Sequence, residues 1–221
     1  MCPERRPAKL ETYRDADYAA RYDERWTGAR GPQRDARKAA AIRRAWASLA
    51  EASGSSTKSV LDLPAGTGRF TQLLQELCPG IVLSADLSEA MLAEARSKHP
   101  GALACLADAA RLPFPDDAFD VVICIRFLHL VREPGLRIRF LREFARVARH
   151  GVIMDYRHGH TLRIWGRHLR HKLGWMPLAP ANPSPAAIRA EIAEAGLKLH
   201  SRHRVRFAPF LSDKLLHVAL P

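Results

Sequence analysis

Two aspartates bracket a glycine-rich turn in the stretch that begins VLDLPAGTGRF. Asp62 ends one apolar run, and Gly66 and Gly68 lie in the turn that follows it. Asp86 ends the next apolar run, eighteen residues beyond Gly68. Glycine lets the backbone approach a ligand closely, and a carboxylate at the tip of a second strand can accept hydrogen bonds from both hydroxyls of a ribose. This spacing predicts a nucleoside site.

The same turn departs from the pattern that binds dinucleotides. Counting from Gly66, the third glycine of a G-x-G-x-x-G fingerprint is replaced by Thr71. Asp62 would also repel a pyrophosphate, whereas it would attract a cationic ligand or an amino group. The turn therefore argues against a nicotinamide dinucleotide and favours a nucleoside that carries a sulfonium amino acid.

Short apolar runs alternate with helical patterns through residues 59–155, and they predict the elements that position these residues. Phe119–Ile125 is apolar almost throughout, which is typical of a strand buried on both faces. Strands that alternate with helices imply a doubly wound, mostly parallel α/β sheet. Leu199–Phe207 and Leu211–Leu220 are predicted as further strands, close enough in sequence to pair antiparallel.

The N-terminal segment is predicted to be helical and aromatic. Tyr18, Tyr22 and Trp26 are spaced four residues apart, which places them on one helical face. Asp35 is predicted to cap a second helix that runs to about Ala52.

Length and composition indicate an ordinary globular chain. It has 221 residues, of which 47% are apolar and 26% charged, so it can bury a substantial core and is not a disordered chain. Its four cysteines have no close spacing, which excludes a disulfide scaffold, and no metal site is predicted. No apolar run is long enough to cross a bilayer, and the N-terminus lacks the pattern of a secretory signal. We therefore expect a cytoplasmic protein.

The net charge of +12 at pH 7 is unevenly distributed along the chain. Residues 1–46 carry +5 and residues 157–221 carry +8, whereas residues 47–156 carry −1. The neutral middle contains the predicted nucleoside site, so the excess positive charge belongs to the two flanks that would enclose a second substrate. Such flanks favour an anionic partner, namely a membrane surface, nucleic acid or an acidic small molecule.

Four motifs follow one another in order along residues 59–155. They are VLDLPAGTG at 60–68, ADLSEAML at 85–92, ADAARLPFPDDAFDVVIC at 107–124 and RFLHLV at 126–131. Their order and spacing resemble those of the class I S-adenosylmethionine-dependent methyltransferases of the small ubiquinone/menaquinone-methyltransferase-like type. The resemblance implies S-adenosylmethionine as cofactor. It also implies a Rossmann-like, doubly wound, mostly parallel seven-stranded sheet with an antiparallel last strand.

The resemblance further implies a role for each matched residue. Asp62 and the backbone of the turn would hold the methionyl and adenosyl parts of the cofactor, and Asp86 would hold the ribose. Asp108 would read the adenine edge, and Tyr22 would lie over the cofactor from an N-terminal helix. The cofactor-binding residues implied in this way are Tyr22, Asp62, Ala65, Gly66, Gly68, Asp86, Leu87, Asp108, Ala109 and Ile125.

The whole chain, 1–221, is predicted to form a single methyltransferase domain with four parts. These are an N-terminal helical cap (1–52), a cofactor-binding core (59–155), a basic lid insert (157–183) and a C-terminal helix with a strand pair (184–221). The turn departs from the family pattern in having Pro64 at the usual first glycine. Proline fixes φ near about −65° and removes an N–H, so the turn must tolerate both.

His129 is the histidine next to the expected methyl-transfer position, and it has two interpretations. As a catalytic general base it would have an ordinary pKa near about 6.5, which suits neutral pH. As a structural residue it would shape the substrate site. Arg69 likewise could pair with the methionyl carboxylate or be a solvated helix residue.

Residues 157–175 contain five Arg or Lys residues, four histidines and no acidic residue. Four apolar residues recur at helical spacing within this segment, at Leu162, Trp165, Leu169 and Leu173. Three interpretations stay open for it. It could be a helix that covers the substrate, a contact with an anionic membrane that would place the protein at the inner face of that membrane, or a contact with RNA.

The predicted reaction is methyl transfer to a small, lipophilic or anionic acceptor, at an oxygen or carbon atom rather than at nitrogen. No Asn/Asp-Pro-Pro-Tyr motif ends the fourth strand, which separates the chain from enzymes that methylate the amino groups of bases or glutamine. Two alternatives remain: an RNA methyltransferase, and a non-catalytic protein that binds S-adenosylmethionine with the same fold.

Overall fold

A seven-stranded sheet forms the centre of the computed structural model, which describes residues 12–177, 179, 181–206 and 212–221. The strand order is β3-β2-β1-β4-β5-β7-β6. Strands β1 to β5 pair in parallel, and β7 runs antiparallel to both β5 and β6. The predicted fold class is therefore confirmed. The strands are β1 (Ser59–Asp62), β2 (Ile81–Asp86), β3 (Leu103–Leu106), β4 (Phe119–Cys124), β5 (Ala148–Arg157), β6 (Lys198–Arg204) and β7 (Lys214–Leu220).

Helices cover both faces of the sheet. Ile42 and Leu74 pack with one face, whereas Phe144 and Ile188 pack with the other. Within the described residues, no helix is both long and apolar enough to cross a membrane. The helices are α1 (Ala16–Ala20), α2 (Glu24–Thr27), α3 (Gly31–Ser53), α4 (Thr71–Leu77), α5 (Glu89–Lys98), α6 (Pro134–Val147), α7 (Leu162–Lys172) and α8 (Pro185–Glu194), with a 3₁₀ turn at Leu128–Leu130.

Side-chain caps fix the ends of the elements that surround the nucleotide turn. Ser88 Oγ accepts a hydrogen bond from the Met91 N–H at 3.1 Å, and this bond begins α5 directly after β2. Asp120 Oδ2 accepts hydrogen bonds from the N–H groups of Lys58 and Ser59 at 2.7 and 3.1 Å. Asp120 on β4 therefore holds the start of β1, so the two strands that carry the turn and the fourth motif are fixed side by side.

The N-terminal cap differs from the single helical face predicted for it. Helix α1 ends at Ala20 and α2 begins at Glu24, so Tyr22 lies in the turn between them. Its N–H donates to the Ala19 carbonyl at 3.0 Å, which is a tighter bond pattern than that of an α-helix. Asp23 accepts a hydrogen bond from Thr67 Oγ1 at 2.9 Å. The turn of the cap is thus tied to the nucleotide turn, and the helix is interrupted there.

The predicted cap at Asp35 is wrong. Helix α3 already begins at Gly31, with Pro32 in its first turn, where a missing N–H costs no helical hydrogen bond. Asp35 lies inside this helix and forms an ion pair with Arg69 instead. The acidic side chain therefore links α3 to the residue that follows the nucleotide turn.

Candidate functional site

A cavity of about 380 Å³ opens at the carboxyl ends of β1, β2 and β4. Open α/β sheets bind their ligands at this edge. Most of the residues predicted to bind the cofactor line this cavity, whereas Gly68 does not. Those that line it are Tyr22, Asp62, Ala65, Gly66, Asp86, Leu87, Asp108, Ala109 and Ile125.

Asp62 is a buried carboxylate in the cavity wall, 3% exposed. Among the described residues, no hydrogen-bond donor reaches its side chain. Burial raises its pKa to about 7, and the nearby carboxylate of Asp86 adds to this effect. A buried carboxylate without a partner costs free energy unless a ligand supplies the donor. The side chain is therefore suited to a cationic group such as the ammonium of an amino acid.

Each carboxylate oxygen of Asp86 accepts a hydrogen bond from a backbone N–H. Oδ2 accepts a hydrogen bond from the Gly66 N–H at 2.8 Å, and Oδ1 accepts one from the Ser88 N–H at 2.9 Å. Burial raises the pKa of Asp86, and these backbone donors partly offset the rise. Each oxygen can accept one more hydrogen bond, and the side chain lines the cavity. Asp86 can therefore accept hydrogen bonds from two ribose hydroxyls.

The two glycines of the turn have different roles. Both adopt the left-handed backbone, with φ of +58° at Gly66 and +71° at Gly68. A Cβ on Gly66 would enter open space, whereas a Cβ on Gly68 would lie 2.9 Å from the His99 ring. His99 Nε2 also lies 2.8 Å from the Gly68 carbonyl oxygen. Gly66 therefore leaves room for a ligand, and Gly68 packs the turn against the end of α5 instead of lining the cavity.

The end of the cavity near β3 combines apolar walls with one polar edge. Leu87 and Ile125 contribute apolar surface, and Asp108 and Ala109 contribute the edge. Asp108 Oδ1 accepts a hydrogen bond from the Ala110 N–H at 3.0 Å, which fixes the carboxylate beside the backbone. A flat base with donors on one edge fits this arrangement.

The N-terminal cap adds Tyr13 and Tyr22 to the cavity wall. Ser88 Oγ donates to the Tyr13 carbonyl at 2.6 Å, and Arg126 Nη2 donates to the Tyr22 hydroxyl at 2.9 Å. Burial raises the pKa of Tyr13 to about 12, so its hydroxyl stays protonated. Each tyrosine is thus tied to the carboxyl end of a strand, and together they place the cap across the cavity.

Two guanidinium groups give the cavity a positive side. Arg69 and Arg126 both line it, and both stack on the Trp26 ring, at 3.7 and 4.1 Å from its centre. Burial lowers the pKa of Arg69 to about 10, which leaves it charged at neutral pH, and it forms an ion pair with Asp35. Arg126 has a left-handed backbone, φ +65°, which is costly for a residue with a side chain and is typical of functional sites. No carboxylate of the described residues lies within ion-pair distance of Arg126.

His129 does not belong to the cavity wall. It lies in the 3₁₀ turn after β4, and its Nδ1 is buried without a hydrogen-bond partner in the described part of the chain. Burial, followed by the positive charge of Arg157, lowers its pKa to about 3. A neutral imidazole with so low a pKa is a weak base, and His129 is not among the residues that line the cavity. The geometry therefore does not favour the base interpretation, which stays a prediction.

Sequence reasoning missed the apolar wall opposite the carboxylates. Phe127 follows β4, and Leu136 and Phe140 come from α6. The rings of Phe127 and Phe140 are 4.9 Å apart. The spacing of Leu136 and Phe140, four residues apart on a predicted helix, could have indicated that both face the same side. What the sequence did not indicate is that this side, while packed in the core, also reaches the cavity.

The side chains of the cavity match the chemical groups of S-adenosylmethionine. The cofactor carries an ammonium and a sulfonium, and the cavity floor presents the carboxylates of Asp62 and Asp86, which form no ion pair with a described residue. Its ribose and adenine correspond to the free acceptor capacity of Asp86 and to the edge at Asp108. The open space beside Gly66 lets such a ligand lie close to the backbone of the turn.

Comparisons with known proteins agree with this arrangement. Residues 61–154 match the family model described as "Methyltransferase domain". The chain is 34% identical to the demethylmenaquinone methyltransferase of Thermus thermophilus over 166 residues, which cover 64% of this chain and 75% of that protein. It is 35% identical over 102 residues to the phthiotriol/phenolphthiotriol dimycocerosates methyltransferase of Mycobacterium tuberculosis, which cover 45% of this chain and 37% of that protein.

A solved structure extends the likeness in fold over nearly the whole chain. The magnesium protoporphyrin IX methyltransferase of Synechocystis PCC 6803, with bound SAH, superposes with a TM-score of 0.69 and 19% identity, covering 96% of this chain and 98% of that one. The family match, the relatives and the site together identify an enzyme whose cofactor is S-adenosylmethionine. The chain belongs to the class I S-adenosylmethionine-dependent methyltransferases, of the quinone-methyltransferase-like type.

Proposed function

We propose that this enzyme methylates an oxygen or carbon atom at the reactive end of a lipophilic acceptor that also carries negative charge. The observation that supports this most is the second half of the cavity wall. Beyond the carboxylates it consists of aromatic and aliphatic side chains, among them Phe70, Phe127 and Phe140, together with the guanidinium groups of Arg69 and Arg126. Such a wall is suited to an apolar ring or chain with an anionic substituent.

The size of the cavity limits how much of the acceptor it can hold. A volume of about 380 Å³ is at the lower end of the range for ligand sites, and the cofactor occupies part of it. A long lipophilic acceptor would therefore place only its reacting end inside. The names of two relatives, which specify demethylmenaquinone and phthiotriol dimycocerosates, support an acceptor of this class.

The protein's part in the reaction is to bind, orient and exclude water. S-adenosylmethionine supplies a methyl group that is already activated by its sulfonium. Asp62 and Asp86 would fix the cofactor by its amino and ribose groups, so that its methyl faces the apolar wall. The phenylalanines keep water away from the acceptor, and alignment of the two reactants lowers the barrier to an in-line displacement. Arg126 would hold negative charge on the acceptor beside Tyr22.

The acceptor class can be tested with isotopically labelled S-adenosylmethionine. The purified full-length protein is incubated with cell extract, and label is followed into lipid, small-metabolite and RNA fractions. We expect label in the lipid fraction, and at least tenfold less label there with an Asp86→Ala variant at limiting cofactor. Glu51→Gln is the matched control, because Glu51 is exposed on α3 and forms no ion pair with a described residue. Label in RNA, or in no fraction, would contradict the proposal.

The same proposal implies where the part of the acceptor that does not enter the cavity would lie. A chain that does not fit in the cavity would stay in a membrane, so the enzyme would act while bound at an anionic membrane surface. The basic segment 157–175 follows β5 and therefore starts at the same edge of the sheet as the cavity. The segment supports membrane binding by its position at this edge of the sheet and by its positive charge.

A further inference from the structure

Helix α7 has an apolar face that is directed away from the rest of the protein. We call it the α7 face, and its members are large side chains that are each between 53% and 72% exposed. They are Leu162, Trp165, Leu169, Leu173 and Trp175. In the described part of the chain, the other large apolar side chains with comparable exposure are Ile81, Leu103 and Leu106. The exposed apolar surface is thus concentrated on this one short helix and the residues directly after it.

The opposite side of the helix is the one that packs inward. Ile164 is 1% exposed and is the buried residue of α7. Thr161 Oγ1 accepts a hydrogen bond from the Ile164 N–H at 3.3 Å and fixes the start of the helix. Amphipathic helices of globular proteins normally turn their apolar stripe to the core, and here that stripe faces solvent.

The segment after the helix is held so that it extends the same face. The Trp175 N–H donates to the Arg170 carbonyl at 2.8 Å, and the His171 ring nitrogen Nδ1 lies 2.8 Å from the Met176 carbonyl oxygen. These contacts fold the chain back against the end of α7. The Trp175 ring, 72% exposed, therefore has a defined position next to the apolar stripe.

Positive charge flanks the α7 face without a compensating acid. Arg163, Arg170 and Lys172 are exposed on either side of the stripe, and none of them forms an ion pair with a described residue. Residues 157–175 contain no Asp or Glu at all. An apolar stripe between basic flanks, with tryptophan at the margin, is the arrangement that lies flat in the interface of an anionic bilayer.

We propose that the α7 face docks on an anionic lipid bilayer and inserts its apolar side chains to the level of the headgroups. A second copy of the chain is a poorer occupant, because each copy would bring the same uncompensated positive segment. Nucleic acid would meet the arginines but leave the five apolar side chains in water. A helix of 11 residues lies in the interface and does not span it. The inference rests on the proposed function in that docking would bring the cavity to its lipophilic acceptor.

Vesicle binding of the intact protein tests the proposal without cofactor or acceptor. Vesicles of phosphatidylcholine alone are compared with vesicles that also contain phosphatidylglycerol, by co-sedimentation. We expect binding to the anionic vesicles, weakened by added salt, and at least tenfold weaker for Trp165→Ser/Leu169→Ser. Arg163→Gln/Arg170→Gln should weaken it about tenfold, since each basic residue near such a surface contributes to the attraction.

Leu103→Ser/Leu106→Ser is the matched control. These two leucines are 54% and 53% exposed, but they lie on β3, an edge strand separated from β5 by three other strands. The control variant should bind vesicles as the parent does. A second readout is tryptophan fluorescence, which should shift to the blue with anionic vesicles and lose this shift in Trp165→Phe/Trp175→Phe.

Three results would overturn the proposal. They are no binding to anionic vesicles, equal binding by the Trp165→Ser/Leu169→Ser variant, and a concentration-dependent dimer that this variant abolishes. Failure of the proposed function would look different. In that case vesicle binding would persist while no lipid-soluble material acquired label from S-adenosylmethionine.

Discussion

Asp62 and Asp155 both lie at the carboxyl end of a parallel strand, and both are 3% exposed, yet their pKa values shift in opposite directions. Burial raises the pKa of Asp62 to about 7, with Asp86 as the next cause. Burial would raise the pKa of Asp155 as well, but the ammonium of Lys38, 2.6 Å from Oδ2, holds it below its usual range. The counter-charge of Asp155 is part of the fold, whereas that of Asp62 must arrive with a ligand.

The comparison extends to the two halves of the sheet in which these residues lie. The carboxylates on β1 and β2 line the cavity and form no ion pair with a described residue. On β5 the surroundings of Asp155 include Lys38, His129 and Arg157, and none of these lines the cavity. A buried charge therefore indicates a ligand site only where the protein itself leaves the charge unpaired.

The largest expected effect comes from removing the internal partner. Lys38→Met leaves the Asp155 carboxylate buried without its cation, so we expect the free energy of unfolding to fall by about 3–5 kcal/mol. Urea unfolding measures this loss, and calorimetry should find S-adenosylmethionine affinity nearly unchanged. Lys58→Met, at an exposed lysine, should change stability by less than about 0.5 kcal/mol. A loss below about 1 kcal/mol for Lys38→Met would break the contrast between the two aspartates.

The second prediction is that removing the unpaired carboxyl of Asp62 stabilises the cofactor-free protein. The pKa of Asp62 rises from 3.8 in the unfolded chain to about 7 in the fold, so the cofactor-free protein loses stability as pH rises through this window. Asp62→Asn removes the penalty. The variant should be as stable as the parent near pH 4 and more stable at pH 8, with the difference growing by at most about 1.4 kcal/mol for each pH unit.

Urea unfolding of both proteins between pH 4 and 8, without cofactor, gives this difference directly. The same substitution at Asp155 provides the counterpart, because a carboxyl with a lowered pKa contributes stability above its unfolded pKa. Asp155→Asn should therefore destabilise the protein at neutral pH. If Asp62→Asn and Asp155→Asn changed the free energy of unfolding in the same direction, the cationic partner would not determine the sign of the effect.

The third prediction concerns the carboxylate that serves both fold and ligand. Asp86→Ala removes the acceptor for the Gly66 and Ser88 N–H groups and for the ribose hydroxyls, so we expect S-adenosylmethionine to bind at least tenfold more weakly. Titration calorimetry measures the affinity, with Glu51→Gln as the control that should bind normally. Near-native affinity would remove Asp86 from the cofactor site.

The smallest effect is expected at His129. Because its pKa is lowered to about 3 and it lies outside the cavity wall, His129→Gln should reduce the methyl-transfer rate by less than about tenfold. A general base usually contributes about a hundredfold or more. The single-turnover rate constant at saturating cofactor, followed from pH 5 to 9, reports the methyl-transfer step and distinguishes the two cases. A hundredfold loss would restore the base interpretation.

Local signals in the sequence predicted most of the fold and the cofactor half of the site. Ser88, a serine directly before a helical pattern, caps α5, and the mostly apolar run predicted as a strand over Phe119–Ile125 forms β4, which is buried along its whole length. Asp62 and Asp86 could be placed because both the strand end and the turn are encoded within a few residues of them. Such features depend on residues that are close together in the chain, so a single sequence is enough to recognise them.

What could not be predicted depends on contacts between distant parts of the chain. Lys38 and Asp155 are 117 residues apart, and nothing near either residue indicates the other. The N-terminal helix is interrupted at Tyr22, next to the point where Asp23 accepts a hydrogen bond from Thr67, 44 residues away. The outward direction of the apolar stripe on α7 likewise depends on a tertiary contact, because Ile164 on the opposite side of the helix is the residue that packs inward. Periodicity gives the stripe but not its direction.

The first two helices of the N-terminal cap bury little apolar surface, and this affects turnover. Helices α1 and α2 are short, and Ala19 is their one buried residue. The contacts that tie them to the nucleotide edge are polar or stacking contacts: hydrogen bonds from Ser88, Thr67 and Arg126, an ion pair between Lys98 and Asp23, and the stacking of Arg69 and Arg126 on Trp26. A segment that buries so little apolar surface opens at a small fraction of the free energy of global unfolding. We expect spent cofactor to leave when the cap lifts, so that cap opening rather than methyl transfer sets the rate of repeated cycles.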